Sequence, residues 1–293
     1  NAMKFWTKGE DAPVAVWIGH HPAALIPANV KKDYPASHYP LTGSFLGEPL
    51  RLVPTELWGE KLLVPADAEI VFEGVIPRNV HEAEGPFGEY TGYAGAQRPS
   101  WIIDVQRVTH RKDAMYHDIA GGAADHLVLG GFQMEARVYD VVKRVVPELQ
   151  NVHVPISGCC RFHAYLQLRK TRPGIGKDAI SAAFAADFRI KHVFAVDEDI
   201  DIFNEKEILW TIATRSQWNR DLTMLVGGTA STLDPSSGLP FGCRAGIDCT
   251  LPPPEPGMPP PFPVKNKVPD DVMNKIQLKT FVAPDELAKM SNE

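Results

Sequence analysis

The apolar pattern changes period at Gly121-Gly122, and that change constrains the fold more than any other feature. Ahead of it, short strands follow one another: Pro13 to Ile18, Leu50 to Val53, Lys61 to Val64, Glu69 to Ile76, Trp101 to Arg111 and Ala114 to Ile119. Turn residues separate them closely enough for antiparallel pairing, which predicts a β-barrel or sandwich. Beyond it, Met134, Val138, Val141, Val142 and Val145 recur at helical spacing until Pro147 stops the run. Phe162, Ala164, Leu166 and Leu168 then alternate with polar residues, as in a strand with one buried face. A helix is expected over Asp178 to Ala186 and a strand over Val193 to Val196. Asn204 with Glu207 forms a capping box for a helix to about Thr214, and Leu222 to Val226 is another strand. Strands alternating with helices predict a mostly parallel layer, so the class is α/β (α+β).

The stretch Glu84-Gly85-Pro86-Phe87-Gly88-Glu89-Tyr90-Thr91-Gly92-Tyr93 lies on a connection between strands of the first half. In an ideal strand, residues five apart face opposite ways. Here Pro86 fixes one φ, while Gly85 and Gly88 reach angles other residues avoid, so the chain can bend and bring Glu84 and Glu89 towards one site. Two carboxylates in a sheltered site cannot both ionise easily, and one keeps its proton near neutral pH. That equips a general acid, with Phe87 as an apolar ring able to raise its pKa further. The plainer alternative is a surface turn with two solvated glutamates.

A net charge of −6 and a pI near 5.9 argue against a nucleic-acid or anionic-membrane partner. No apolar run reaches the length of a membrane span, and no signal peptide is visible. Cys159, Cys160, Cys243 and Cys249 have spacings unsuited to zinc, and read as free thiols of a cytoplasmic protein. His20 and His21 are neighbours that face apart, a poor metal pair. Residues 31–47 read as a polar loop over a site. Gly121-Gly122 is either a backbone cradle for phosphate or a domain boundary. Prolines gather at 252–263, which predicts an extended arm, followed by helices over Asp270 to Leu278 and Pro284 to Met290 that pack on a neighbouring subunit.

Glu84 to Tyr93 with Ala94-Gly95 resembles the central motif of the UbiD family of decarboxylases. Val64 to Gly74, Arg161-Phe162-His163-Ala164-Tyr165, Lys191-His192-Val193, Asp197 to Asp201, Ala213-Thr214-Arg215, Leu233-Asp234-Pro235 and Gly246-Ile247-Asp248 resemble further family segments in the same order. The resemblance implies a split antiparallel β-barrel of FMN-binding type (1–128), a three-layer α/β domain (129–250) and a carboxy-terminal arm (251–293). It implies non-oxidative decarboxylation of an aromatic or α,β-unsaturated carboxylic acid on prenylated FMN supplied by a flavin prenyltransferase, with a divalent metal (Mn or Mg) and K. By position, Glu89 is the proton donor, and Glu84 is its partner, which in the family pairs with an arginine. That arginine, two metal ligands and an amino-terminal domain precede the segment where this chain starts. A third ligand, a glutamate in the family, falls on His38 here, and histidine lacks the negative charge such a site uses. The expectations are therefore one half of a split enzyme with a partner subunit, a truncated chain, or a non-catalytic assembly subunit. The family expectation for assembly is a homo-oligomer, dimer or hexamer.

Overall fold

Residues 12–18, 70–76 and 104–110 are rich in β-branched and aromatic side chains and pair as strands. After the short helix α1 (Met3–Trp6), β1 (Ala12–Ile18) lies antiparallel beside β4 (Ile70–Ile76), which pairs on its other edge with β7 (Asp104–His110). The hairpin β2 (Leu52–Thr55)–β3 (Gly59–Pro65) precedes β4, and β5 (His81–Glu84)–β6 (Arg98–Trp101) follows it. Val64, Ala68 and Val71 form a small core against Ala15 and Trp17. Glu73 is buried in this half, its carboxylate accepting the backbone N–H of Glu56 (3.0 Å) and Leu57 (2.6 Å), which satisfies a charge that burial would otherwise penalise. The computed structural model describes every residue except 33–34, 238–240, 254–261, 267, 278–279 and 284–293.

Three sequence expectations fail in this half for local reasons. The loop expected over 31–47 contains α3 (Tyr39–Leu46), with Pro40 in its first turn and Gly47 closing it at φ 78°. The short α2 (Leu25–Asn29) precedes it. The strand expected over Trp101–Arg111 divides into β6 and β7, which join different sheets. Ala114–Ile119 forms no strand: Met115 N–H bonds the Glu69 carboxylate (3.1 Å) and Ile119 N–H bonds Asp118 (2.8 Å), side-chain acceptors that replace a ladder.

The second half is built on a five-stranded sheet ordered β11 (Leu222–Thr229), β12 (Phe241–Asp248), β10 (His192–Asp197), β9 (His163–Leu168), β8 (Leu149–His153). Only β9–β10 and β10–β12 are parallel, and both edges are antiparallel, so the sheet is mixed rather than mostly parallel. Strand β12 was hidden because Gly242-Cys243-Arg244-Ala245-Gly246 carries almost no apolar signal. Its glycine is needed: a Cβ on Gly246 would lie 2.3 Å from Ile180 of α5 (Ile175–Ala186). Alternation along β9 and β10 splits the core into two faces. Ala164, Leu166, Val193 and Ala195 pack under α4 (Ala124–Val145) and α5, while Tyr165, Phe194 and Val196 meet Ile208 and Ile212 of α6 (Glu205–Arg215). This is a three-layer arrangement. Asn204 caps α6 through Lys206 N–H (3.1 Å), but Glu207 reaches back to Asp201 N–H (3.3 Å) rather than to the cap. The short α7 (Trp218–Asp221) leads into β11.

Residues 1–251 form one unit and 252–293 a second. In the second, α8 (Asp270–Met273) is shorter than the helix expected to Leu278. Leu278, Pro284–Met290 and most of the proline arm lie outside the described residues. No helix among the described residues is long and apolar enough to cross a membrane.

Candidate active site

The glutamate motif is the tip of the β5–β6 hairpin. Glu84 ends β5 opposite Arg98, and residues 85–97 fold back through a Gly88–Ala94 bridge. The tip is tied by Gly95 N–H to Phe87 C=O (2.8 Å), Glu89 N–H to Tyr93 C=O (3.0 Å) and Gly92 N–H to Glu89 C=O (3.0 Å). Gly85 (φ 86°) and Gly92 (φ 78°) take the left-handed turns this path requires.

The two carboxylates have separate surroundings. Glu84 accepts the Ser100 hydroxyl (2.6 Å) and faces the Arg98 guanidinium at 3.5 Å. These neighbours, Ser100 first, hold its carboxyl below the ordinary glutamate range. The arginine beside Glu84 is thus one of this chain's own. The groups that set Glu84's acidity do not include Glu89. Glu89 is half-buried, and its side chain runs past Gly95, where a Cβ would come within 3.3 Å of Glu89 Cγ. Phe87 does not enclose either acid: 46% of it is exposed.

The next residue anchors the loop. Tyr90 is buried, its hydroxyl 2.8 Å from Ser231 Oγ and its ring 5.8 Å from that of Phe162. The Arg161 guanidinium sits 5.4 Å over the same ring, buried and bonded among the described residues to the carbonyls of Leu127 (3.3 Å) and Cys160 (2.9 Å). Cys159 and Cys160, at φ 55° and 50°, make the turn that delivers Arg161 there. Gly130 leaves it room, since a Cβ would fall 1.5 Å from a guanidinium nitrogen. Gly121-Gly122 is the loop's seat. A Cβ on Gly121 would lie 2.3 Å from Gly88 O, and one on Gly122 would lie 3.3 Å from Glu89 O. His126, in the first turn of α4, accepts Gly122 N–H at 3.2 Å. The glycine pair therefore packs backbone against backbone.

His38 lies away from this loop, ahead of α3, with Nε2 2.8 Å from Val30 C=O. No group of three His, Cys, Asp or Glu side chains among the described residues could hold a metal ion. The described residues therefore assemble no donor set for a divalent metal. All four cysteines are free thiols. Sequence reasoning reached Glu84, Glu89 and the Gly121 break, but missed Tyr90, Ser100, Arg98 and Ser231. Tyr90 beside a glutamate in a glycine-rich loop was a usable signal. Its partner Ser231, 141 positions away, left none.

This fold is that of the UbiD-class enzymes. The structure superposes on HmfF from Pelotomaculum thermopropionicum, solved in complex with FMN, with a TM-score of 0.88 and 37% identity, covering 96% of this chain and 62% of that one. An evolved dimeric form of HmfF in complex with prFMN matches at 0.82 and 34% identity, covering 96% and 60%. Among curated proteins, the anhydromevalonate phosphate decarboxylase of Methanothermobacter thermautotrophicus is 39% identical over 247 residues, 84% of this chain and 57% of its own length. The Rift-related domain of 3-octaprenyl-4-hydroxybenzoate carboxy-lyase matches residues 1–124, and the carboxy-terminal domain of the same family matches 127–249. The chain belongs to the UbiD family. It spans a little over half the length of the relatives it matches.

Proposed function

We propose that this chain supplies the proton-donating loop and the α/β layers of a carboxy-lyase that acts on an α,β-unsaturated carboxylic acid with prenylated FMN. The observation that carries the reading is Glu89, half-buried and held by the anchored Tyr90 on a loop seated against Gly121-Gly122. A carbon that loses CO2 must regain a proton, and Glu89 is the acid this loop holds in place. Glu84, kept ionised by Ser100 and Arg98, fixes the base of the hairpin. The bound flavin supplies the electron sink that no side chain here can provide. The described residues assemble no metal site for it, and no step is assigned to the metal. His38 would reach a metal only after giving up its bond to Val30.

The relative from M. thermautotrophicus bears a name that denotes a phosphorylated acid, which favours an aliphatic unsaturated acid carrying a phosphate over an aromatic one. The test is CO2 release by the chain assembled with the missing family residues and flavin, on the phosphorylated unsaturated acid and on an aromatic acid. A flavin-loaded assembly that releases CO2 from neither acid refutes the reading and leaves a non-catalytic assembly subunit. HmfF has a dimeric form, and a homo-oligomer is proposed here as well.

A further inference from the structure

Behind Tyr90 lies a cavity of about 180 Å³, walled by Phe162, Arg189, Lys191, Ser231, Ser236 and Arg244 among others. That is far more than the roughly 10–15 Å³ one water needs. Its charges do not balance. Lys191 is paired with Asp234 at 2.7 Å, and Arg189 is held two-pronged by Asp187 at 2.9 Å. Among the described residues no carboxylate is bonded to Arg244. It is 91% buried by its 9% exposure, donates Nη1 to the Phe184 carbonyl at 2.6 Å, and its Nε is buried with no hydrogen-bond partner. Arg161, across the Tyr90 ring, is also buried, with carbonyl partners among the described residues. Three cations, Arg189, Lys191 and Arg244, thus line the cavity with one carboxylate, Asp234, and Asp187 pairs Arg189 from outside the lining. A buried guanidinium with an orphaned donor is costly unless an anion completes it. The unpaired positive charge suits an anion, and guanidinium forks suit phosphate oxygens. Ser231 adds a hydroxyl at the same wall, while the Ser236 hydroxyl is already donated to Asp234 at 2.9 Å.

We propose that this cavity is a phosphate-monoester site that takes the phosphate end of the substrate; the assignment rests on the carboxy-lyase reading above. Tyr90 links the two ends. Its backbone follows Glu89, and its hydroxyl meets Ser231 on the cavity wall. Tyr90 thus stands between the loop that carries Glu89 and the cationic wall. Arg244 is a specificity residue in this account, and Glu89 stays the proton donor.

The test is isothermal titration of the full 293-residue chain with n-butyl phosphate, inorganic phosphate, butyrate and FMN. Saturable n-butyl phosphate binding is expected, at least tenfold weaker in Arg244→Met and partly restored in Arg244→Lys, with butyrate inert. Cys243 is exposed at the same wall, so Cys243→Asp places a carboxylate there without touching the core and should weaken binding by a similar factor. This second variant decides the matter if Arg244→Met does not fold. Inorganic phosphate alone binding would mark an adventitious ion only and overturn the site. So would wild-type affinity in both variants, or loss of FMN binding in parallel with Arg244 while n-butyl phosphate never binds. These titrations need no turnover, so their failure strikes the cavity, whereas failure of CO2 release strikes the carboxy-lyase reading.

Discussion

Glu84 and Glu89 sit five positions apart, yet the hairpin gives them different neighbours and so different chemistry. Glu89→Gln keeps the shape of the side chain and removes the transferable proton. CO2 release by the flavin-loaded assembly should fall at least about 10²-fold, the scale of a lost general acid, with unchanged circular dichroism. Full activity in that variant would remove Glu89 from the role. Ser100→Ala tests Glu84 independently of any turnover. The hydroxyl is the largest influence holding that carboxyl down, so its loss should raise the Glu84 pKa towards 4.5, read by carbon-detected NMR titration. The two acids and their bend were legible in the sequence, because glycine and proline announce a tight path. The expected mutual pressure between them was not the main effect at Glu84. Ser100 and Arg98 reach it across a β ladder, and strand register is set by pairing partners that no local pattern displays.

At the scale of elements, the loop is held by close backbone approach as well as by side chains. Gly121→Ala would put a methyl 2.3 Å from Gly88 O, and a backbone atom cannot swing aside as a side-chain tip does. Urea unfolding should show a loss of about 1–3 kcal/mol, the usual cost of overpacking. The same variant should increase hydrogen exchange at Tyr90, whose burial depends on the loop's seat. An unchanged midpoint and unchanged exchange would mean the seat is not under compression. Elements with a local signal were readable: the later turns of α4 and β9 carry it in their apolar spacing, α5 in its alanines, α6 in its cap Asn204, and β1 and β4 in their apolar runs. Those that failed had no such signal. Strand β12 is built from small and polar residues and is stabilised by its two neighbours, β10 and β11. The start of α4 lay hidden in Ala124-Asp125-His126, ten residues before its apolar stripe becomes regular.

For the whole molecule, the three layers bury ionisable groups whose titration makes stability depend on pH. His163 and His192 are register partners on β9 and β10, with ring centroids 5.1 Å apart. Burial first, then His163 and Lys191, push His192 down to about 4, and burial lowers His163 as well. At His192 the unfolded chain takes up a proton as pH falls below about 6.5, while the native state refuses it until about 4. More protons on the unfolded side mean that stability is lost across this window as pH falls, and is fully present above it. Asp197 works in the opposite sense. Burial raises it to about 6 despite Leu251 N–H and Arg215, so the native state holds a proton there that the unfolded chain has released. A single pH profile mixes these contributions, and a difference between variants separates them. His192→Gln removes one depressed base and leaves Asp197 untouched. The stability gap between pH 7 and pH 5, by urea denaturation, should therefore shrink by about 1 kcal/mol relative to the parent, after discounting for partial solvent contact. A gap that stays the same or widens would show that His192 is protonated in the folded state near neutral pH. That result would contradict the packing of β9 against β10.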